Sequence, residues 1–237
     1  FFNLAFTGNM YFEKPLGKSK SKKSFIPYLN SIAYNDFENE NKGDDFEFGG
    51  DAKFILDNSL TLDLTVNPDF SQVEIDEQVT NLTRFEISLP EKRQFFIENS
   101  DLFTQLGNGR EARPFFSRRI GIAKDSAENN IQNKIIAGLR LSGNLNKKLR
   151  IGFLNIQTSK DLENSISAFN NSIMVIQQKV FGRSNFNAFI INREATGNYD
   201  FYSDNDKFNR VIGFDYNLRN INGKWIGKYY FHKSCSP

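Results

Sequence analysis

The feature that most constrains the fold is a strict alternation of apolar and polar residues, which is clearest in the stretch SLTLDLTVNPDF (59–70). The apolar residues there are Leu60, Leu62, Leu64 and Val66, and the polar residues between them are Thr61, Asp63 and Thr65. Because successive side chains of a strand point to opposite faces, this pattern predicts a strand with one apolar and one polar face. What covers the apolar face, a protein core or lipid, decides the class of protein.

The alternation recurs along the chain and predicts about ten strands. They are residues 3–13, 24–36, 45–57, 59–67, 133–143, 149–159, 171–181, 185–195, 207–219 and 224–233. Phe accounts for 25 of 237 residues, and aromatic residues favour strands. The sequence has no run of about 18 apolar residues, which excludes a transmembrane helix. A barrel strand, in contrast, is only half apolar and gives a weak hydropathy signal.

The links between the predicted strands alternate in length. The short links are 57–59, 144–148, 182–185 and 220–223, and the long ones are about 37–44, 68–132, 160–170 and 196–206. Outer-membrane barrels alternate short and long links in this way, whereas a Greek-key sandwich has no reason to. We therefore predict one all-β domain over 1–237, an antiparallel up-and-down meander that is part of an outer-membrane-type β-barrel. A long segment is inserted between strands four and five.

Charged residues lie on the polar faces of these strands. They are Asp51, Lys53, Asp63, Arg140, Asp215 and Arg219. In a barrel such residues line a wet lumen, and we expect Asp51, Lys53, Asp63 and Arg140 to face it. In a soluble β-sandwich binding module, which is an alternative, they would face solvent. Within 149–159 and 171–181 the apolar residues change parity, which either a bulge or burial of both faces would explain.

The insertion 68–132 is too long for an ordinary loop. Its dense, mixed charges are interleaved with Phe residues, which predicts a plug or lid that packs on the polar side through Arg–Glu pairing. The alternative is a glycan-directed hydrolase, because glycoside hydrolysis uses a pair of carboxyl groups. The candidate catalytic residues would then be Glu74, Asp76, Glu91 and Glu98.

Composition disfavours several other functions. The net charge of +2 gives no reason to expect a nucleic-acid partner, and Cys235 alone cannot form an internal disulfide. His232 is the only histidine, so a Ser-His-Asp triad or a multi-histidine metal site is disfavoured. The acidic run 35–45 lacks the residue order of a calcium-binding loop. We expect no metal and no other cofactor.

A long motif carries a family resemblance. The stretch LTLDLTVNPDFSQVEIDEQVTNLTRFEISLPEKRQFFIENSDLF, followed by PFFSRRIG, resembles a family of Gram-negative outer-membrane-associated proteins. In that family a family-9-type carbohydrate-binding module precedes a large C-terminal domain of unknown function. The matching residues are Asn67, Pro68, Asp69, Phe70, Gln72, Val73, Glu74, Asn81, Leu82, Pro90, Glu91, Lys92, Arg93, Phe95, Phe96, Glu98, Phe115, Phe116, Ser117, Arg118, Arg119, Ile120 and Gly121.

The resemblance implies a β-barrel-like domain in the outer membrane of a Gram-negative bacterium. Members are often labelled hydrolases, but the family supplies no catalytic residues that could be carried over. The chain begins at Phe1, so we expect a fragment of that domain, an open and strongly curved sheet. The expected partners are outer-membrane lipid and glycan. The expected role is structural, or lies in handling or passage of extracellular glycan-related material.

Overall fold

The computed structural model describes residues 22–36, 41–57, 59–68, 91–109, 112–124, 130–197, 201 and 207–237. Its strands are β1 (Lys23–Asp36), β2 (Asn41–Asp57), β3 (Leu60–Val66), β4 (Ile122–Lys124), β5 (Asn130–Gln132), β6 (Ile135–Asn144), β7 (Leu149–Thr158), β8 (Phe169–Val180), β9 (Ser184–Ala195), β10 (Phe208–Arg219) and β11 (Ile226–Cys235). The helical elements are single turns: α1 (Gln94–Ile97), α2 (Asp101–Thr104) and a 3₁₀ turn (Ser117–Arg119).

The main sheet is an antiparallel meander. In the described part of the chain it has nine strands in the order β1-β2-β3-β6-β7-β8-β9-β10-β11. The predicted all-β, up-and-down architecture is confirmed, and so is the insertion between the fourth and fifth predicted strands. The two-stranded ribbon β4–β5 lies within that insertion. The predicted strand 3–13 lies outside the described residues.

The register explains the change of parity in β7 and β8. The β7–β8 pairing runs without a shift from Leu149–Gln178 to Gln157–Asn170, so no bulge is present there. Instead, both faces carry apolar residues. Leu154 and Ile173 are almost fully buried on one face, while Phe153 and Met174 are exposed on the other. Neither expected explanation is correct: there is no bulge, and only one face is buried, under the insertion, while the other carries exposed apolar residues.

The buried face is covered by residues 91–109 and 112–121 of the insertion, which we call the inserted segment. Its apolar side chains pack on β6 to β9, and α2 contacts β7 and β8. The resulting core consists of Phe96, Leu102, Phe103, Leu106, Phe115, Ile120, Ile135, Leu154, Ile156, Ile173, Val175 and Phe189. We call this side of the sheet the covered face and the opposite side the outward face.

Glycine on the covered face allows the close approach of the inserted segment. A Cβ atom at Gly152 would lie 2.8 Å from the ring of Phe103, and one at Gly138 would lie 3.1 Å from the ring of Phe95. A side chain at Gly152 would displace the ring of Phe103, and one at Gly138 would force the neighbouring side chains to shift, so glycine allows both phenyl rings to approach the strands closely. Within the described ranges, no helix is long and apolar enough to cross a membrane.

Candidate functional site

The covered face carries a charge cluster at β2, β3 and β6. The register aligns Lys53 with Asp63 and Asp63 with Arg140. Arg140, which is 2% exposed, donates from Nη2 to Asp63 Oδ2 at 2.9 Å and from Nε to the same oxygen at 3.2 Å. Glu98 of the inserted segment accepts a hydrogen bond from Lys53 and lies 3.7 Å from Arg140. Two cations and two anions are thus brought together.

This cluster attaches the inserted segment to the sheet. Besides its ion pairs, Arg140 Nη1 donates to the backbone oxygen of Glu98 at 2.8 Å. Buried charges are tolerated when they are paired and hydrogen-bonded, and both conditions hold here. Asp51, the fourth residue predicted to share this side, lies two residues before Lys53 on β2, opposite Thr65, and takes no part in the cluster. Its buried Oδ1 has no hydrogen-bond partner among the described residues.

A second cluster centres on Arg93, which is 7% exposed. Its guanidinium donates to Glu91 from Nε and Nη2, each at 2.8 Å. It also donates to the backbone oxygens of Ser117 and Ile120, each at 2.6 Å, and stacks over Phe96 at 4.2 Å. Arg93 therefore joins the two halves of the family motif, PEKR and SRRIG. The resemblance identified both halves, but their mutual contact was not predicted.

Neither described candidate carboxylate has the environment of a general acid. Burial raises the pKa of Glu91, but the hydrogen bonds from Arg93 and Ser117 and the positive charge of Arg93 outweigh it, so the pKa is lowered. A carboxyl that stays ionised and saturated with donors cannot deliver a proton at neutral pH. Glu98 accepts a hydrogen bond from Lys53 and lies within the charge cluster that attaches the segment to the sheet. Glu74 and Asp76 lie outside the described residues.

A third contact, which the sequence analysis did not predict, involves Asp215 on β10. This carboxylate is fully buried and lies 2.7 Å from His232 Nε2 on β11. Its other oxygen accepts a hydrogen bond at 2.6 Å from the backbone N–H of Gly107 in the inserted segment. Lys228 Nζ stands 4.0 Å away and donates to the backbone oxygen of Gln105 at 2.7 Å. The lone histidine thus has a structural partner.

The remaining motif residues are placed as follows. Asn67 ends β3 with a φ of +45° and donates from its side chain to the backbone oxygen of Phe48 at 2.7 Å. Pro68 follows it, half-buried. Arg118 is buried, which lowers its pKa, whereas Lys92 and Arg119 are exposed. Asp69, Phe70, Gln72 and Pro90 lie outside the described residues.

The interface between the inserted segment and the sheet is closely packed. A small cavity between Phe103, Phe115, Arg140 and Leu154 has room for about one water molecule. Among the described residues, no group of His, Cys, Asp and Glu side chains is arranged to hold a metal ion. The clusters on the covered face therefore join the inserted segment to the sheet. The opposite side of the sheet, the outward face, is the broad surface that the described residues leave exposed.

A family model for a domain of unknown function (DUF5916) matches residues 21–213, which extend from the start of β1 into β10 and include the insertion. No curated protein and no solved structure matches the chain.

Proposed function

The chain belongs to the DUF5916 family of domains of unknown function, and we propose that it forms part of a β-barrel in the outer membrane of a Gram-negative bacterium. In this proposal the outward face contacts lipid, and the covered face lines a lumen filled by the inserted segment. The observation that carries the proposal is the apolar character of the outward face.

The outward face exposes large apolar side chains on strand after strand. Exposed fractions reach 73% for Phe48, 66% for Phe25 and 65% for Phe231 at the sides of the sheet, and 45% for Met174 near its centre. Water-soluble monomers rarely expose a contiguous apolar patch of more than a few hundred Å². In lipid the same surface has no such cost, and the polar residues belong on the inside.

The apolar residues form a band that runs obliquely across the strands. One cross-strand row on the outward face is apolar on the earlier strands, at Ala52, Leu64 and Leu139. The same row is polar on the later strands, at Asn155, Ser172, Asn192 and Arg210. A second row, which lies nearer the short turns, is apolar on the later strands and consists of Ile151, Ile176, Ala188, Phe214 and Phe231. On β1 and β2 the apolar residues of the outward face instead extend away from the short turns, to Leu29 and Phe46.

The slope of this band agrees with the strand tilt of a membrane barrel. Across the sheet, which is about 38 Å wide at 4.8 Å per strand, the band centre shifts by about seven residues, or about 23 Å. The resulting angle is about 30°, close to the tilt of roughly 35–45° in outer-membrane barrels. A band parallel to a membrane would cross tilted strands at such an angle.

The two ends of the strands differ in a way that supports one orientation. Beyond the band, toward the long links, β7 to β10 continue with the polar outward residues Asn155, Gln157, Asn170, Ser172, Asn192, Glu194 and Arg210. At the other end the band comes within a few residues of the short turns. Outer-membrane barrels have short periplasmic turns close to the bilayer and longer extracellular loops. We therefore assign the long links to the extracellular side.

The role that we propose for this barrel is structural, or lies in handling or passage of extracellular glycan-related material. The glycan part rests on the resemblance to proteins that carry a family-9-type carbohydrate-binding module. A hydrolase using Glu91 and Glu98 is not favoured, because both carboxylates are occupied by cations of the structure itself.

The test is a pair of arginine substitutions on the outward face of β8, in the protein as the cell produces it. Ile176→Arg lies in the middle of the band, whereas Ser172→Arg lies on the same face, four residues away, in the polar row. We expect Ile176→Arg to reduce the assembled fraction in outer membranes severely, because arginine at the bilayer midplane costs about 2–4 kcal/mol, falling to about 0–1 near the interface. Ser172→Arg should assemble normally.

Assembly is measured as the shift in gel mobility of the unboiled protein relative to the boiled protein, in mild detergent. Recovery of wild-type protein in the aqueous fraction without detergent would contradict the proposal. So would equal assembly of Ile176→Arg and Ser172→Arg, because a face covered by water or by a polar partner would not distinguish the two positions.

A further inference from the structure

The short turns at one end of the sheet carry a group of cations. We call this group the basic rim; it consists of Lys147 and Lys148 between β6 and β7, Arg183 between β8 and β9, and Lys224 between β10 and β11. All four side chains are exposed. In the described part of the chain none of the four forms an ion pair. Of the acidic residues near this end, Asp57 stands at the turn between β2 and β3, and Asp101 is paired with Arg150 at 2.7 Å.

The turns of the basic rim also present large apolar side chains to the surroundings. Phe181 is 82% exposed, Trp225 70% and Ile221 69%. The two turns that carry them are neighbours, because a Cβ atom at Gly182 would lie 3.1 Å from Ile221 Cγ1. Aromatic residues beside cations are typical of the level where acyl chains meet headgroups.

Phe181 also has an unfavourable backbone conformation, with a φ of +46°. A left-handed conformation is sterically costly for a bulky residue, and Asn or Gly is the usual choice in such a turn. An exposed aromatic residue in that position gains nothing from packing against the described protein. Strain of this kind at an exposed site suggests a contact outside the molecule.

The position of the basic rim relative to the apolar band is equally specific. On β9 the outward apolar residues end at Phe186, three residues after Arg183, and on β11 they begin at Tyr229, five residues after Lys224. At about 3.3 Å per residue, the cations lie roughly 10–17 Å along the strand from the edge of the band. Lysine and arginine side chains reach several ångströms further, so their charges can meet the phosphates that border the hydrocarbon.

From these observations we infer that the basic rim binds the phosphates of anionic phospholipid headgroups. The inference rests on the proposed function and deepens it, because it names the lipid class in contact with the short turns. Exposed, unpaired lysine and arginine next to a bilayer attract anionic lipid with about 1 kcal/mol each, or about fivefold in relative binding. Phe181 and Trp225 would anchor the turns at the same depth.

The single tryptophan of the chain, Trp225, provides the measurement. The protein is reconstituted into vesicles of phosphatidylcholine and phosphatidylglycerol in a three-to-one ratio. Bromine is placed on the acyl chains of one lipid or the other, close to the headgroup. Bromine quenches tryptophan fluorescence on contact, so the two preparations report which lipid lies next to Trp225. We expect phosphatidylglycerol to be preferred about fivefold over its share of the bilayer.

Two changes should abolish this preference. In 1 M salt the Debye length falls to about 3 Å, which screens the rim charges without any substitution. The double variant Arg183→Gln, Lys224→Gln removes the two cations of the turns nearest Trp225. The matched control is Lys160→Gln, Lys233→Gln, which removes the same charge from exposed positions far from the rim and should retain the preference.

The outcomes separate failure of the inference from failure of the proposed function. Equal quenching by both lipids in proportion to their share, unaffected by salt, would overturn the inference and leave the membrane assignment intact. An absence of quenching by either lipid, with the protein recovered outside the vesicles, would overturn both. Loss of the preference in Lys160→Gln, Lys233→Gln as well would show that overall charge, and not the basic rim, attracts the lipid.

Discussion

The covered and outward faces of strand β8 carry similar side chains in different surroundings. Ile173 and Val175 are almost fully buried against the inserted segment, whereas Met174 and Ile176, on the same strand, are 45% and 39% exposed. At the same time the covered face buries Asp63, Arg140 and Asp215. A water-soluble protein also buries large apolar residues, but it does not usually expose them on strand after strand. The comparison therefore supports the proposal that the outward face meets lipid.

The largest effect is expected from Arg93→Met, which tests whether the inserted segment stays attached to the covered face. The substitution keeps the length of the side chain but leaves Glu91 buried without its cation and two backbone oxygens without donors. Removing one partner of a buried ion pair costs about 3–5 kcal/mol. We expect the inserted segment to detach, which limited proteolysis of the assembled protein would detect as new cleavage within residues 91–121.

Arg119→Met is the control for that prediction, because Arg119 belongs to the same motif but is exposed. It should leave the proteolysis pattern unchanged. If both variants were cleaved equally, positive charge in general would be required, and the specific contacts of Arg93 would not explain the attachment of the segment.

A comparison of adjacent residues sharpens the contrast between the faces. Ile173→Ala opens a cavity in the packed core of the covered face and should lower the free energy of unfolding by about 3 kcal/mol. Met174→Ala should lower it by less than about 1 kcal/mol, because fluid lipid chains fill the space that the side chain leaves. The measurement is urea unfolding in phospholipid vesicles, followed by the fluorescence of Trp225. Equal losses would mean that a rigid protein surface packs on the outward face.

The smallest expected effect is the pH dependence of the inserted segment. Since the pKa of Glu91 is lowered in the folded state, its ion pair contributes stability above the unfolded pKa of about 4.3. That contribution is lost as the pH falls through the lower folded pKa. We expect protection of the segment from an acid-stable protease to decline as the pH falls below the unfolded pKa of about 4.3, and Glu91→Gln to remove this part of the pH dependence. A wild-type decline centred above pH 5 would assign it to another group.

The sequence predicted the sheet more completely than the attachment of the insertion. Alternation such as that of Leu60 to Val66 depends only on neighbouring residues, so the strands and their order followed directly. The apolar residues of α2, in contrast, have no periodicity that indicates their partners. The contact between Asp215 and His232 escaped prediction because it depends on the register of β10 and β11 and on a backbone N–H from a distant loop.

The hydrogen bond from Gly107 to Asp215 has a consequence for the order of assembly, because it joins residues 108 positions apart. The meander itself needs only neighbouring hairpins, which close quickly because each loop is short. The inserted segment precedes β6 to β11 in the chain, yet its packing surface on β6 to β9 exists only after those strands have formed, and its contact with Asp215 only after β10 has been added. Its phenylalanines must therefore remain unburied while most of the sheet forms. Docking of the segment is then a late event, and the unattached form is the stage at which the nascent protein is most vulnerable to aggregation and proteolysis.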